Sequence, residues 1–237
     1  MMKEQLEGLF LSAHSYTDSA VIVQLFTNKY GRKSFIFRGA KKKNSPYLFQ
    51  PLHFIEFNSS FKYEKSINNA SNQQLSFPCH QITSDIRKTS IAFFLTEILN
   101  ALLKEGDNSK ELYHFIKNSF LLFEIQPFNP DFHLVFLTQL LSFLGIEPEN
   151  NFSEKHTYFN IKLAKFVGLK ENYTLNQSIS CDFSMLLGTT IDKYSTIKLN
   201  KEKRNVLLEV LFEYFEYHLQ FKSKQISSHK IFKTIFS

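Results

Sequence analysis

Tryptophan is absent from this chain, cysteine occurs twice, and glycine and proline number only seven and six. Each scarcity closes a class. Two cysteines, Cys79 and Cys181, cannot build a disulfide framework, so a reducing cytoplasm is the natural setting. They form no CxxC pair, and with His80 and His156 they make no set of close ligand pairs for zinc, so no metal or other cofactor is expected. The few glycines leave no GxxxxGK[ST] or GxGxxG phosphate cradle, and neither HExxH nor GxSxG occurs. Low Gly and Pro also exclude a collagen-like or low-complexity chain. The acidic, polar start Met1–Glu7 does not read as a signal peptide. The longest uncharged apolar stretch, Phe132–Ile146, has 15 residues, fewer than the roughly 20 that a membrane helix needs. A soluble protein without a membrane partner is expected.

Arginine is scarce too, at four against 24 lysines. The net charge of +6 therefore has to be discounted, because a genome rich in A and T enriches Lys, Asn and Phe without selection for nucleic acid. What the chain has in quantity is aromatic: 27 Phe and 10 Tyr among 237 residues, with 43% hydrophobic content. That excludes intrinsic disorder and supplies enough apolar surface for a sizeable core.

Residues 1–80 read as β structure. Ala20–Thr27 is rich in β-branched and aromatic side chains, Asn28–Gly31 supplies turn chemistry, and Ser34–Arg38 completes a hairpin. Further strand-like runs are Leu52–Asn58, Phe61–Ile67 and Gln73–Phe77, five in all, which suits a small barrel or sandwich. From Thr83 the period changes. Ile91, Phe94, Leu95, Ile98 and Leu102 recur at helical spacing between a Thr83 or Ser84 cap and Gly106. Leu112–Ile125 predicts a second helix, and Asn129-Pro130 opens a third that ends at Gly145. An irregular insert spans about 147–181, with a short hairpin near Tyr158–Phe166. Helices return over Phe183–Asp192, Lys201–Gln220 and Ser227–Phe236. The expected class is α+β, with a barrel domain over 1–80 and a helical domain over 81–237.

Charge is uneven along this plan. Residues 1–80 carry 10 basic and 5 acidic side chains, 81–197 carry 10 and 13, and 198–237 carry 8 and 4. No constellation reads as catalytic. Glu209, Glu213 and Glu216 share a helix face opposite Leu207, Leu208, Leu211, Phe212 and Phe215, the pattern of a solvated acidic stripe. The basic cluster is different. Lys29, Arg32, Lys33, Arg38, Lys41, Lys42 and Lys43 fall within 15 residues, interleaved with Tyr30, Phe35, Phe37, Tyr47 and Phe49. Single-stranded nucleic acid calls for that pairing, cations for phosphates and rings for bases. The same residues also fit a Lys-rich hairpin kept soluble by charge, its aromatics forming the barrel core. Residue chemistry alone leaves both readings open.

Several short motifs carry a resemblance. Ser15-Tyr16-Thr17-Asp18-Ser19-Ala20-Val21-Ile22, Leu25-Phe26-Thr27, Tyr30-Gly31-Arg32, Arg38-Gly39-Ala40-Lys41-Lys42, Ser45 and Gln50-Pro51-Leu52 follow one another. Together they resemble the start of the RecO family of bacterial recombination mediators. Ala92–Leu99 is similar to that family's first long helix, and Phe136–Gly145 to the helix that ends in Leu-Gly before its zinc region. Tyr217-His218-Leu219 and Lys222-Ser223-Lys224 resemble its terminal segment. One departure stands out: many members have four zinc-binding cysteines after that Leu-Gly, whereas Glu147–Ser180 has none. The chain looks like a zinc-free variant, its insert held by packing or by the hairpin.

The resemblance implies an OB-fold barrel followed by a helical domain, and a non-enzymatic function. Such a protein binds single- and double-stranded DNA and anneals complementary strands. It engages the single-stranded DNA-binding protein SSB and the partner RecR, helps RecA load, and works in the cytoplasm at the nucleoid. Arg38, Lys41, Lys42 and Lys43 are then expected on phosphates, with Lys29, Arg32 and Lys33 extending the track. The acidic SSB tail is expected in a helical groove near Lys203, Arg204 and Leu207. A general OB-fold binder of RNA or single-stranded DNA, and a protein-interaction scaffold without DNA binding, are the alternatives.

Overall fold

In the computed structural model, residues 3–39, 45–106 and 109–229 are described. The chain forms two compact units, 1–126 and 127–237. In the first, five strands close into a barrel in the order β1-β2-β3-β5-β4. The strands are β1 (Glu4–Ser15), β2 (Ala20–Thr27), β3 (Gly31–Arg38), β4 (Phe54–Ser59) and β5 (Ile67–Leu75). All neighbours are antiparallel except β3 and β5, where Ser34 to Phe37 run parallel to Ile67 to Ala70. This is the expected OB-like barrel followed by helices, in an α+β chain.

Alternation fills the barrel. Leu6, Phe10, Val23, Leu25, Phe35, Phe37, Ile55 and Phe57 point inward and form one cluster. Tyr30 and Phe61 pack on one end of it, and Phe49 packs on Phe37 near the other. The turn between β2 and β3 requires positive φ at Gly31 (63°), which glycine adopts without strain.

Two strand expectations fail in compensating ways. Of Phe61–Ile67 only Ile67 is in a strand, as the start of β5; residues 61–66 are a loop, because Phe61 leaves the ladder to stack on Tyr30 with centroids 3.7 Å apart. The fifth strand is instead β1, whose Glu4, Gln5 and Glu7 hide a segment with Leu6, Leu9, Phe10 and Leu11 all buried. Leu6 and Phe10 face the barrel interior, whereas Leu9 lies on the other face.

Among the described residues, the α-helices of the first unit are α1 (His80–Ser84), α2 (Ile86–Leu102) and α3 (Lys110–Ile125). The long ones begin where Asp85 and Ser109 accept hydrogen bonds from Arg87 and Leu112 N–H, one residue beyond the Thr83/Ser84 cap expected for α2. Phe26 and Phe54 on the barrel exterior meet Tyr113 of α3 at 6.1 and 6.0 Å. Glu7 is held by Lys117 at 2.6 Å, and by Ser76. Lys88 is buried, and its ammonium donates to the carbonyls of Phe123, Glu124 and Gln126 at 2.7–3.0 Å. A side chain of α2 thus satisfies the open carbonyl end of α3.

The second unit is built around α4 (Phe132–Phe143), buried on nearly every side. Gly145 (φ 71°) ends it, with Ile146 N–H donating to Leu141 and Gly145 N–H to Ser142. A hairpin follows, β6 (Tyr158–Asn160) with β7 (Lys165–Val167), then α5 (Gln177–Leu187) and α6 (Lys201–His218). The expected helix at 183–192 starts earlier, at Gln177, because Asn176 caps it through Ile179 N–H. Most of the expected helix at 227–236 lies outside the described residues. The insert packs through rings: Phe159 meets Phe183 at 4.6 Å and Phe166 at 5.0 Å, and Phe152 meets Phe166 at 5.3 Å. Asn151 adds a strand-like pair of bonds to Phe166, donating to its carbonyl and accepting from its N–H.

Candidate nucleic-acid interface

The basic residues singled out on the barrel do not share one environment. Arg32 spends its guanidinium inside the first unit. It donates to the carbonyls of Asn100 (2.5 Å) and Leu103 (2.6 Å), to Gln24 Oε1 (2.6 Å) and to Asn100 Oδ1 (2.9 Å). Burial lowers its pKa. It ties β3 to the C-terminal end of α2, and so presents nothing to a phosphate. Lys29 is exposed on the β2–β3 turn, but its ammonium sits 2.5 Å from Glu4. Lys33 falls by alternation on the β3 face shared with Phe35 and Phe37, and is half-buried. Lys41, Lys42 and Lys43 lie outside the described residues.

Arg38 is an exposed cation on the barrel face. It ends β3 and lines a cleft of about 220 Å³ with Lys3, Ile36, Asn58, Ser60, Asn69, Ala70 and Ser71. Pairing explains the cleft's composition: β5 runs between β3 and β4, which sets Phe37 opposite Ala70 and Asn58 opposite Ser71. The outward positions of these strands are mostly small and amide side chains. The same polar surface continues past Glu56 to Gln5, Asn72 and Gln74. A row of amides and hydroxyls beside an arginine offers donors and acceptors for phosphate, sugar and base edges without a fixed sequence code. Of strand β5 (INNASNQQL) the expected run Gln73–Phe77 catches only the last three residues, because asparagine and glutamine are poor strand formers. Its polarity is legible only once its place in the barrel is known.

The helical candidates are placed differently. Arg204 of α6 is buried, its Nε donating to Asp131 Oδ1 at 2.8 Å and its Nη2 to the Leu199 carbonyl at 3.0 Å. Asp131 Oδ2 accepts from Leu199 N–H, so the arginine and aspartate brace the start of α4 against that of α6. Leu207 is fully buried. Lys203 is partly exposed and paired with Asp182 at 2.8 Å. These three residues form no open groove. No group of three or more His, Cys, Asp or Glu residues able to hold a metal occurs among the described residues. Among the same residues, no helix is long and apolar enough to cross a membrane.

Comparison with known proteins agrees with this layout. Residues 1–76 match the family model described as recombination protein O N terminal, and residues 83–225 match recombination protein O C terminal. The chain is 27% identical over 240 residues to the DNA repair protein RecO of Flavobacterium psychrophilum, covering 100% of both chains. It is 28% identical to that of Bacteroides fragilis, over 92% of this chain and 93% of that one. With RecO of Porphyromonas gingivalis the identity is 27% over 90% and 91%. Barrel, helical region and full-length similarity converge, and the chain belongs to the RecO family of DNA repair proteins.

Proposed function

We propose that this chain is a non-enzymatic recombination mediator that binds single- and double-stranded DNA and anneals complementary strands. Its setting is repair of gapped or broken DNA in the cytoplasm, at the nucleoid. The supporting observation is the cleft on the outer barrel face, where Arg38 stands beside Lys3, Asn58, Asn69 and Ser71. Arg38 also leads directly in sequence into Lys41-Lys42-Lys43. Annealing brings two polyanions together, so each backbone must be neutralised locally while the bases stay free to pair. An arginine beside neutral amides, followed in sequence by a short lysine run, meets that need. Arg32 is left out because its donors are already used, and Lys29 and Lys33 because the first is paired with Glu4 and the second lies on the β3 face of Phe35 and Phe37.

The same reading gives SSB, RecR and RecA as partners: strands coated by SSB are the substrate, and RecA loading the outcome. The SSB-tail dock is not assigned to Arg204 and Leu207, which are buried. The test is annealing of complementary oligonucleotides, naked and SSB-coated. Acceleration on coated strands supports a mediator. Binding without annealing points instead to a general OB-fold binder, and no salt-dependent binding to a scaffold.

A further inference from the structure

At the end of the barrel marked by the β2–β3 turn, three rings form a cluster: Tyr30 and Phe61 cap the barrel core, and Tyr63 lies outside it. Tyr30 and Phe61 stack face to face at 3.7 Å, and Tyr63 meets both edge-on, at 5.5 and 5.1 Å. Tyr30 is fixed from behind: its hydroxyl donates to Glu4 at 2.5 Å, and the same carboxylate holds Lys29. The loop bearing Tyr63 is also fixed. Asn68, buried, accepts from Lys62 N–H at 2.8 Å and donates to the carbonyls of Lys62 and Lys65. Yet Tyr63 itself is 71% exposed. A lone exposed ring is ordinary on a protein surface; what marks Tyr63 is that a ring cluster and a braced loop hold it in place while it stays open to solvent. Lys62 and Lys65, both exposed, flank it. Ser60 of the Arg38 cleft lies three residues upstream of Tyr63.

We infer that Tyr63 is a base-stacking position for single-stranded nucleic acid, with Lys62 and Lys65 beside it for the flanking phosphates. The inference rests on the barrel as a single-strand binder and adds where a base is read. A strand lying along the cleft by Arg38 reaches the Ser60–Ser66 loop, and the open face of Tyr63 takes one base. Stacking tolerates any base because each has a π face, which suits a protein that must act on arbitrary sequence.

The experiment measures binding of two oligonucleotides of equal charge, one carrying 2-aminopurine among ordinary bases and one made of abasic spacers, across a salt series. Wild type is expected to prefer the base-bearing strand and to quench 2-aminopurine. Tyr63→Ala is expected to lose roughly ten- to hundredfold affinity for that strand only, with the salt slope unchanged and the quench gone. Tyr63→Phe is expected to behave as wild type, and both variants fold because the ring is exposed. Unchanged affinity and quenching in Tyr63→Ala would overturn the inference. Equal, salt-dependent binding of both strands by wild type would overturn it while leaving the barrel reading intact. Absence of salt-dependent binding by wild type would overturn both.

Discussion

Two arginines, one in each unit, show how little the position of a charge in sequence says about its use. Arg38 of the barrel and Arg204 of the helical unit both lie in basic stretches, Arg38 before Lys41–Lys43 and Arg204 after Lys201 and Lys203. Arg38 ends a strand and stands exposed over an amide-lined cleft. Arg204 is buried on Asp131 and a carbonyl. On the barrel exterior Arg38 is left open to an anion, whereas in the core of the helical unit Arg204 is consumed as a strut. Even within the barrel the distinction holds, since Arg32 is spent on Asn100 and Leu103. Charge becomes function only where the fold leaves it unsatisfied.

The contrast is broken most severely at Asp131. Asp131→Ala leaves Arg204 buried without its carboxylate, and is expected to cost about 3–5 kcal/mol in chemical denaturation. An unchanged midpoint would mean that Arg204 reaches water. Lys88→Met is the corresponding strut test in the first unit. It leaves three carbonyls at the end of α3 without a donor, for an expected loss of roughly 2–3 kcal/mol by the same measurement.

Acid sharpens the comparison next. His133 in α4 is fully buried, and desolvation, aided by Arg204 and opposed by the Pro130 carbonyl, lowers its pKa to about 3. The unfolded chain takes up this proton near pH 6.5 and the folded unit only near 3. Its contribution is therefore complete above 6.5 and is lost as pH falls between those values. The helical unit should lose about 2 kcal/mol between pH 7 and pH 5 from this group alone. Denaturation midpoints at the two pH values check it, and a His133→Gln variant should flatten the dependence.

Arg38→Ala is the mild case. The side chain is exposed, so the denaturation midpoint should not move, while affinity for single strands falls and the salt slope drops by about 0.7. A lowered midpoint with normal binding would make Arg38 one more strut.

Much of this architecture can be read from residues in order, and the exceptions share a cause. The β2–β3 hairpin is visible because Ala20–Thr27 and Gly31–Arg38 carry their own propensity and turn. Helices α2, α3 and α4 show in their spacing and end signals. β1 and β5 are obscure because their strand state is imposed by neighbours: β5 is half asparagine and glutamine, and it pairs with β3 and β4, which supply the edges. Phe61–Ile67 misleads because its aromatics cap the barrel end. The basic cluster is evident as composition, yet nothing local separates Arg32 from Arg38. The α2 partners of Arg32, Asn100 and Leu103, lie 68 and 71 residues away, and Asp131 lies 73 residues from Arg204. The polar cleft had no sequence signal, because it exists only once three strands lie side by side.

The most direct test is a salt titration of single-strand binding by wild type and by a variant with Arg38, Lys41, Lys42 and Lys43 all changed to Ala. Four lost phosphate contacts should flatten the slope of log affinity against log salt by about 3, with folding intact. Superimposable slopes would contradict the account, and return the basic run to solvated surface.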